Sequence, residues 1–371
     1  MPAARDWAYF DHAAVAPLSG PAEAILVEWA HDVAQHGDAY WSRWSDHLTE
    51  TRRLGAQLIN ADPAEIALVR NTTEGINFVA EGFPWRDGDN VVTLADEFPS
   101  NLFPWMNLQS RGVETRRVPI DQGRVDLDRL EAACDQRTRI ITLSWVGYAS
   151  GWRNDLDAVA EIARRRGAYF FLDAIQGLGV FPLDVQRTRI DFLAADGHKW
   201  LLGPEGAGYF FLRREHLDLL RPVGIGWNSV AHAGDYSRTD LVLKNTAARY
   251  EGGTYNMGGL AALGESTALL LGYGVERIAE RLLAITDLAC QRLAAIGATI
   301  VSCREGDRSS GIVSFDLPGI DLSSVRRHCL SHGVTLSVRG GRLRISPHAY
   351  TTEADVDRLV DALTEQSRRT V

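Results

Sequence analysis

Short apolar runs bounded by turn residues recur along the first two thirds of the chain: Ile66 to Val69, Asn90 to Leu94, Arg139 to Leu143, Ala168 to Leu172, Asp191 to Ala195 and Ala207 to Leu212. Being apolar throughout rather than alternating, they predict strands covered on both faces. Helical patterns lie between several of them. The clearest is Leu156 to Arg166, where Leu156, Val159, Ala160 and Ala163 share one face and three arginines close the C-terminal end. Strand, helix, strand repetition predicts a mainly parallel sheet. After about Leu260 the character changes: two long helical patterns, Leu260 to Leu271 and Val275 to Ile296, precede strand candidates at Gly311 to Leu317, Val334 to Val338 and Leu343 to Ser346, and an amphipathic helix runs from about Glu353 to Arg368. The pattern therefore predicts an α/β protein with an N-terminal segment at 1–20, a large α/β domain at 21–259 and a smaller α+β domain at 260–371.

Composition narrows the function classes. With 45% hydrophobic and 23% charged residues among 371, the chain can bury a large core, and wholesale disorder is excluded. The 48 acidic side chains exceed the 39 basic ones, giving a net charge of -9, and Lys and Arg are scattered. That balance offers no field for gripping a nucleic-acid backbone. No apolar run approaches the roughly 20 residues that span a bilayer, so no membrane partner and a cytoplasmic location are expected. Cys134, Cys290, Cys303 and Cys329 form no CxxC pair and no zinc-knuckle spacing, which makes a disulfide framework or a metal site improbable.

Two segments carry the chemistry, Tyr169 to Gln176 and Asp191 to Pro204. In each an apolar strand ends in polar groups, so Asp173, Gln176, His198 and Lys199 project from the carboxyl edge of the sheet, where open α/β folds bind ligands. Taken alone, an Asp after a strand is a turn or helix cap, and a Lys there is solvated surface. Together they match the needs of pyridoxal 5'-phosphate: a Lys for the Schiff base and a carboxylate that keeps the pyridine nitrogen protonated. An apolar setting such as Trp200 to Leu202 lowers a lysine's pKa and makes it a better nucleophile. Asn71 to Asn77 adds a helix start whose free N–H groups and two Thr hydroxyls suit an anion, although the same spacing also suits an ordinary helix cap.

The Asp-x-x-Gln and Gly-His-Lys pair resembles the class V aminotransferase family, the fold-type I group that includes cysteine desulfurases, selenocysteine lyases, kynureninases and isopenicillin N epimerases. The resemblance runs from Tyr9 to the last helix. It implies a large cofactor-binding domain with a mainly parallel mixed sheet and a small C-terminal domain. It further implies that Lys199 forms the Schiff base, Asp173 meets the pyridine nitrogen, Gln176 lies near the phenolic oxygen, and His198, Thr72 and Thr73 lie at the phosphate. Glu251 to Asn256 resembles the family's Glu-x-Gly-Thr-x-Asn stretch, so Gly253 and Thr254 would complete a partner's phosphate site in a homodimer with shared active sites; read bare, it is a Gly-rich turn. Phe98 stands where the family often has a stacking His, and Tyr148 where it has a cofactor-facing Asn. Arg344, and less directly Arg339, match the arginine that grips the substrate carboxylate. His12 would enter the substrate side or pack within the protein.

The stretch Ser337 to Ser346 departs from persulfide-forming desulfurases, which carry a loop with a nucleophilic Cys between the two arginine positions. Arg339 and Arg344 are separated by only four residues here and none of the four is Cys; Cys303 and Cys329 read as small buried hydrophobes. The Ser that often precedes Gly-His-Lys is Asp196, which when ionised turns away from a phosphate or meets a cation. These features lead to the expectation of a PLP enzyme that deprotonates the α-carbon of an amino acid with Lys199 as base, and performs β-elimination or carbon-sulfur lysis without a persulfide-forming Cys. Transamination and epimerisation are the alternatives, and a PLP-binding protein without turnover is a third. A nucleotide-binding reading lacks both a GxxxxGK[ST] loop and a well-placed GxGxxG.

Overall fold

The computed structural model of the chain describes residues 1–121 and 123–369, so the end of the domain expected at 260–371 lies outside the described residues. Strand β1 (Ala8–Tyr9) leads through helices α1 (Gly20–His36) and α2 (Trp41–Ile59) into a large sheet. Its elements are β2 (Ile66–Val69), α3 (Thr72–Gly82), β3 (Asn90–Leu94), α4 (Phe103–Met106), β4 (Glu114–Val118), α5 (Leu127–Ala132), β5 (Thr138–Ser144), α6 (Leu156–Arg166), β6 (Tyr169–Asp173), β7 (Phe192–Asp196) and β8 (Gly208–Leu212). Helices α7 (Met257–Tyr273) and α8 (Val275–Ala295) follow, then β9 (Thr299–Ile300), β10 (Val313–Asp316), α9 (Val325–Ser331), β11 (Val334–Thr335), β12 (Ser337–Arg339), β13 (Arg342–Ile345) and α10 (Glu353–Arg369).

The seven strands of the large sheet lie in the order β2-β8-β7-β6-β5-β3-β4. β4, β3, β5, β6 and β7 are parallel, while β8 runs antiparallel to both of its neighbours. The continuous apolar runs follow from this arrangement. Ile66, Leu68, Phe170, Leu172, Leu193 and Ala195 face one buried cluster, and Ala67, Val69, Phe171, Phe192 and Ala194 face another on the opposite side. Helix α6 is capped by the Asp155 side chain, which accepts from Ala158 N–H at 3.0 Å, and ends at Gly167 with φ 65°. Edge strand β4 was not predicted: its Glu114, Arg116 and Arg117 face water, as suits an edge that must not pair further.

The small sheet, β12-β13-β10-β9, is antiparallel. The expected division at residue 260 falls inside α7, which lies against α1 and α2: Thr51 donates to the Leu260 carbonyl at 3.0 Å and Gly264 meets Thr51 too closely for any side chain. The N-terminal segment joins the two sheets. β1 pairs in parallel with β11, Asp11 bridges to Ser346, and Ala16 N–H donates to the His198 carbonyl at 2.7 Å. Among the described residues no helix is long and apolar enough to cross a membrane.

Candidate active site

The carboxyl ends of β6 and β7 and the first turn of α3 meet at one place. Thr72, at the start of α3, accepts a 3.0 Å hydrogen bond from the backbone N–H of Asp196, the last residue of β7. Lys199 follows in a tight turn closed by Leu202 N–H on the Lys199 carbonyl at 3.0 Å. Leu202 holds a left-handed φ of 57°, a conformation that costs a non-glycine residue on the order of 1–2 kcal/mol. The Leu202 carbonyl, bonded by Ser19 N–H and the Ser266 hydroxyl, holds the turn in place.

Lys199 is buried, and its ammonium makes no hydrogen bond or ion pair among the described residues; it faces the Phe98 ring, 5.6 Å from the centroid. Burial drives its pKa down to about 8, with Asp173 opposing and the nearby guanidinium groups of Arg344 and Arg339 assisting. Asp173 is buried as well, and burial pushes it up to about 6 against the Ile175 N–H and Lys199. That N–H, at 3.1 Å, is its one hydrogen-bond partner among the described residues. Two groups that prefer water thus sit in apolar surroundings with almost no compensation.

The same economy marks the anion end. Asn71 caps α3 by accepting from Glu74 N–H at 2.9 Å, and the N–H groups of Thr72 and Thr73 have no partner among the described residues. The Thr73 hydroxyl donates to Ser100 at 2.9 Å. Asp196 turns toward His198, whose Nδ1 is 3.1 Å from its Oδ2, yet Asp196 Oδ1 and His198 Nδ1 are buried without a hydrogen bond among the described residues. A phosphate and a protonated ring nitrogen are what these groups lack, so the residues present fit pyridoxal 5'-phosphate. Phe98 supplies a face and Tyr148 packs against it edge-on at 5.3 Å. Gln176 accepts from Trp200 Nε1 at 2.7 Å and donates one N–H to the Ala13 carbonyl at 3.1 Å, which leaves one N–H for a ligand.

On the small domain, Arg344 is 1% exposed and donates to Ser337 Oγ (3.1 Å), the Tyr148 carbonyl (2.8 Å) and Asp11 Oδ1 (3.1 Å). Three of its five N–H groups are engaged and two remain. Arg339, at the end of β12, is exposed. β12 and β13 are joined by Gly340 and Gly341 alone, both left-handed, at φ 56° and 75°. Gly253 and Thr254 are exposed on the loop after Glu251.

His12, expected on the substrate side or packed within the protein, lies in the interior. It is fully buried, with Nδ1 on the Ser346 carbonyl at 2.9 Å and Nε2 on the Tyr350 hydroxyl at 2.8 Å, amid Trp200, His348 and Tyr350. Sequence reasoning also missed two buried carboxylates. Asp11 is the counter-ion of Arg344, 333 positions away. Glu97 accepts from Ser144 N–H (2.8 Å), Ser144 Oγ (2.5 Å) and Asn101 (3.1 Å), and burial pushes it up to about 8. Only its place beside Phe98 could have drawn notice.

The family model described as aminotransferase class-V matches residues 9–359. The chain belongs to that family. It is a PLP-dependent enzyme, and enzymes of the family act on small amino-acid substrates. The chain is 32% identical to a probable cysteine desulfurase of Methanothermobacter thermautotrophicus, over 98% of this chain and 96% of that one. The cysteine desulfurase CsdA of Escherichia coli superposes with a TM-score of 0.88 at 27% identity, covering 99% and 96%. The apo cysteine desulfurase of Thermococcus onnurineus NA1 gives 0.91 at 24% identity, covering 100% and 96%, and speaks for the fold alone.

These relatives overturn one expectation. Cysteine desulfurases form a persulfide on a Cys, so the expected lysis without a persulfide-forming Cys is corrected. The error lay in one inference: a two-glycine β12–β13 turn shows that no thiol stands in that hairpin, but an acceptor thiol has to meet the sulfur, not to occupy that position.

Proposed function

We propose that this family member is a cysteine desulfurase-type enzyme, taking sulfur from the β-carbon of a cysteine-like amino acid and passing it to a thiol; cysteine plus thiol gives alanine plus persulfide. The observation that carries the chemistry is Lys199, a buried amine without a hydrogen bond among the described residues, held at about 8 beside Asp173. The choice of sulfur rests on the relatives.

When bound, pyridoxal 5'-phosphate supplies a carbonyl for Schiff-base formation and a protonated ring that withdraws electrons from the substrate's α-carbon. Lys199 would be the amine that holds it, and would also be the base that moves the substrate's α-proton. Asp173 keeps the ring nitrogen charged. The N–H groups of Thr72 and Thr73 and the His198 ring hold the phosphate, the Phe98 ring covers one face, and Gln176 and Tyr148 complete the polar rim. Arg344, immobilised by three hydrogen bonds, offers its remaining two N–H groups to the substrate carboxylate, and Arg339 stands beside it. In this reading two chains pair, and Gly253 and Thr254 finish the partner's phosphate site. Four free cysteines suit a reducing, cytoplasmic setting.

The test is to supply L-cysteine to the cofactor-loaded protein, measure alanine, and map persulfide by alkylation and mass spectrometry. Burial pushes the thiols of Cys134, Cys290 and Cys329 up to about 11, which leaves them little thiolate at neutral pH, so Cys303 is inspected first. Stoichiometric alanine and persulfide are expected. Pyruvate in place of alanine, or loss of amine without sulfur release, overturns the reading.

A further inference from the structure

Helix α9 and its C-terminal cap place His328 and His332 four residues apart, one turn of helix, with their rings 4.3 Å between centroids. Glu365 of α10 faces them. These three residues bring one ligand-competent atom apiece to within 4.8 Å of one another. None is used by the active site, and all three are partly exposed, so an ion can enter from solvent.

The hydrogen bonds around the two rings supply an independent observation. His332 Nδ1 donates to the His328 carbonyl at 2.9 Å, and its Nε2 lies 3.0 Å from Glu365 Oε2, a contact that either a proton or a metal ion can bridge. His328 Nε2 donates to the Ala362 carbonyl at 3.0 Å, which leaves its lone pair on Nδ1. A backbone carbonyl thus anchors one N–H and the orientation of each imidazole, the arrangement that metal-ligating histidines adopt.

We infer that His328, His332 and Glu365 form a divalent transition-metal site on the small domain, suited to zinc. Two imidazole nitrogens and one carboxylate oxygen are a borderline donor set that zinc accepts, with water as a fourth ligand. Bonds of about 2.0–2.2 Å require the three donor atoms, within 4.8 Å of one another, to draw together around the ion. The ion would tie α9 to α10 next to the point where β11 receives β1: Ala8 N–H bonds the Gly333 carbonyl, and Arg358 of α10 bonds the His332 carbonyl at 2.8 Å. It would act as a clamp remote from Lys199.

The experiment titrates the full-length, cofactor-loaded protein with Zn2+ against a chromophoric chelator, and repeats the titration on His328→Gln and Glu365→Gln. One Zn2+ per chain is expected, weakened in each variant by more than the roughly 10–100-fold that an outer-sphere partner is worth. Cofactor absorbance and turnover should be unchanged in both. Co2+ in place of Zn2+ should show tetrahedral or five-coordinate bands without a thiolate charge-transfer band. Unchanged Zn2+ affinity in the variants, a thiolate band, or no binding at micromolar Zn2+ overturns the inference. Because cofactor absorbance reports folding independently, a misfolded variant is recognised and replaced by His332→Gln.

Discussion

Lys199 and Arg344 are both buried cations near enough for the charge of Arg344 to act on Lys199, and they are treated in opposite ways. Among the described residues Lys199, after β7, has no hydrogen bond, and its carboxylate neighbour Asp173 has one. Arg344, on β13, makes three, one of them to a dedicated counter-ion, Asp11. The contrast separates groups that must change state from a group that must stay put. An amine that attacks a carbonyl and later moves a proton works only if its charge is poorly stabilised, whereas a carboxylate receptor works only if its charge is permanent and its plane is fixed.

The sharpest break in that contrast is Lys199→Ala. Because the residue is assigned both cofactor attachment and proton transfer, turnover should fall by at least about 10^4-fold, with cofactor retained only non-covalently and removable by dialysis. Absorption spectra before and after dialysis check the attachment. Retention of covalent cofactor would move the role to another lysine.

Asp173→Asn comes next and should act in two directions. Turnover should fall by about 10^2-fold or more, since a neutral amide cannot keep the ring nitrogen charged. The cofactor-free protein should meanwhile become more stable at neutral pH by on the order of 1–2 kcal/mol, part of the roughly 3 kcal/mol that a shift of this size represents being offset by lost attraction to Lys199. Asp173 sits at about 6 in the fold against its usual 3.8, so the folded chain keeps a proton that the unfolded chain releases. Stability of the cofactor-free wild type should therefore fall as pH rises from about 4 to about 6, a component that the Asn variant loses. Urea melts at several pH values read it directly.

Asp11→Ala tests the other side. Removing one partner of a buried ion pair leaves Arg344 uncompensated and should cost about 3–5 kcal/mol of stability. The apparent KM for the amino acid should rise more than kcat falls, because the guanidinium loses its anchor rather than its charge. An equal fall in kcat with KM unchanged would separate Arg344 from carboxylate binding.

The two halves of the site were unequally legible in the sequence. Lys199, Asp173, Thr72 and Thr73 lie at the ends of continuous apolar strands or at a capped helix start, and local pattern marks such positions. The strands Ile66–Val69 and Asn90–Leu94 and the helix Leu156–Arg166 were visible for the same reason. Asp11 with Arg344, and His12 with Tyr350, are long-range pairings between the N-terminal segment and the small domain, and no local period announces them. Helix α7 was legible as a helix, but its partner was not. It is apolar nearly all round because α1 and α2 cover it, and hydrophobicity alone does not say which domain does the covering.

The mildest test concerns the ring that faces Lys199. Phe98 offers its ring face to the ammonium at 5.6 Å and is itself 43% exposed, so the cation–π attraction is worth no more than about 0.5–1 kcal/mol. Cofactor capture requires the neutral amine. Its rate in the cofactor-free wild type should rise with pH and level off above about 8, where burial has placed the Lys199 pKa. Phe98→Leu removes stabilisation from the charged form alone, so the midpoint should move to lower pH by a few tenths of a unit, while loss of the aromatic face weakens equilibrium cofactor binding several-fold. Faster capture below pH 8 with weaker final binding is a pairing that simple loss of packing does not produce. A midpoint that stays fixed would mean that burial alone sets the pKa of Lys199 and that Phe98 acts only on the bound ring.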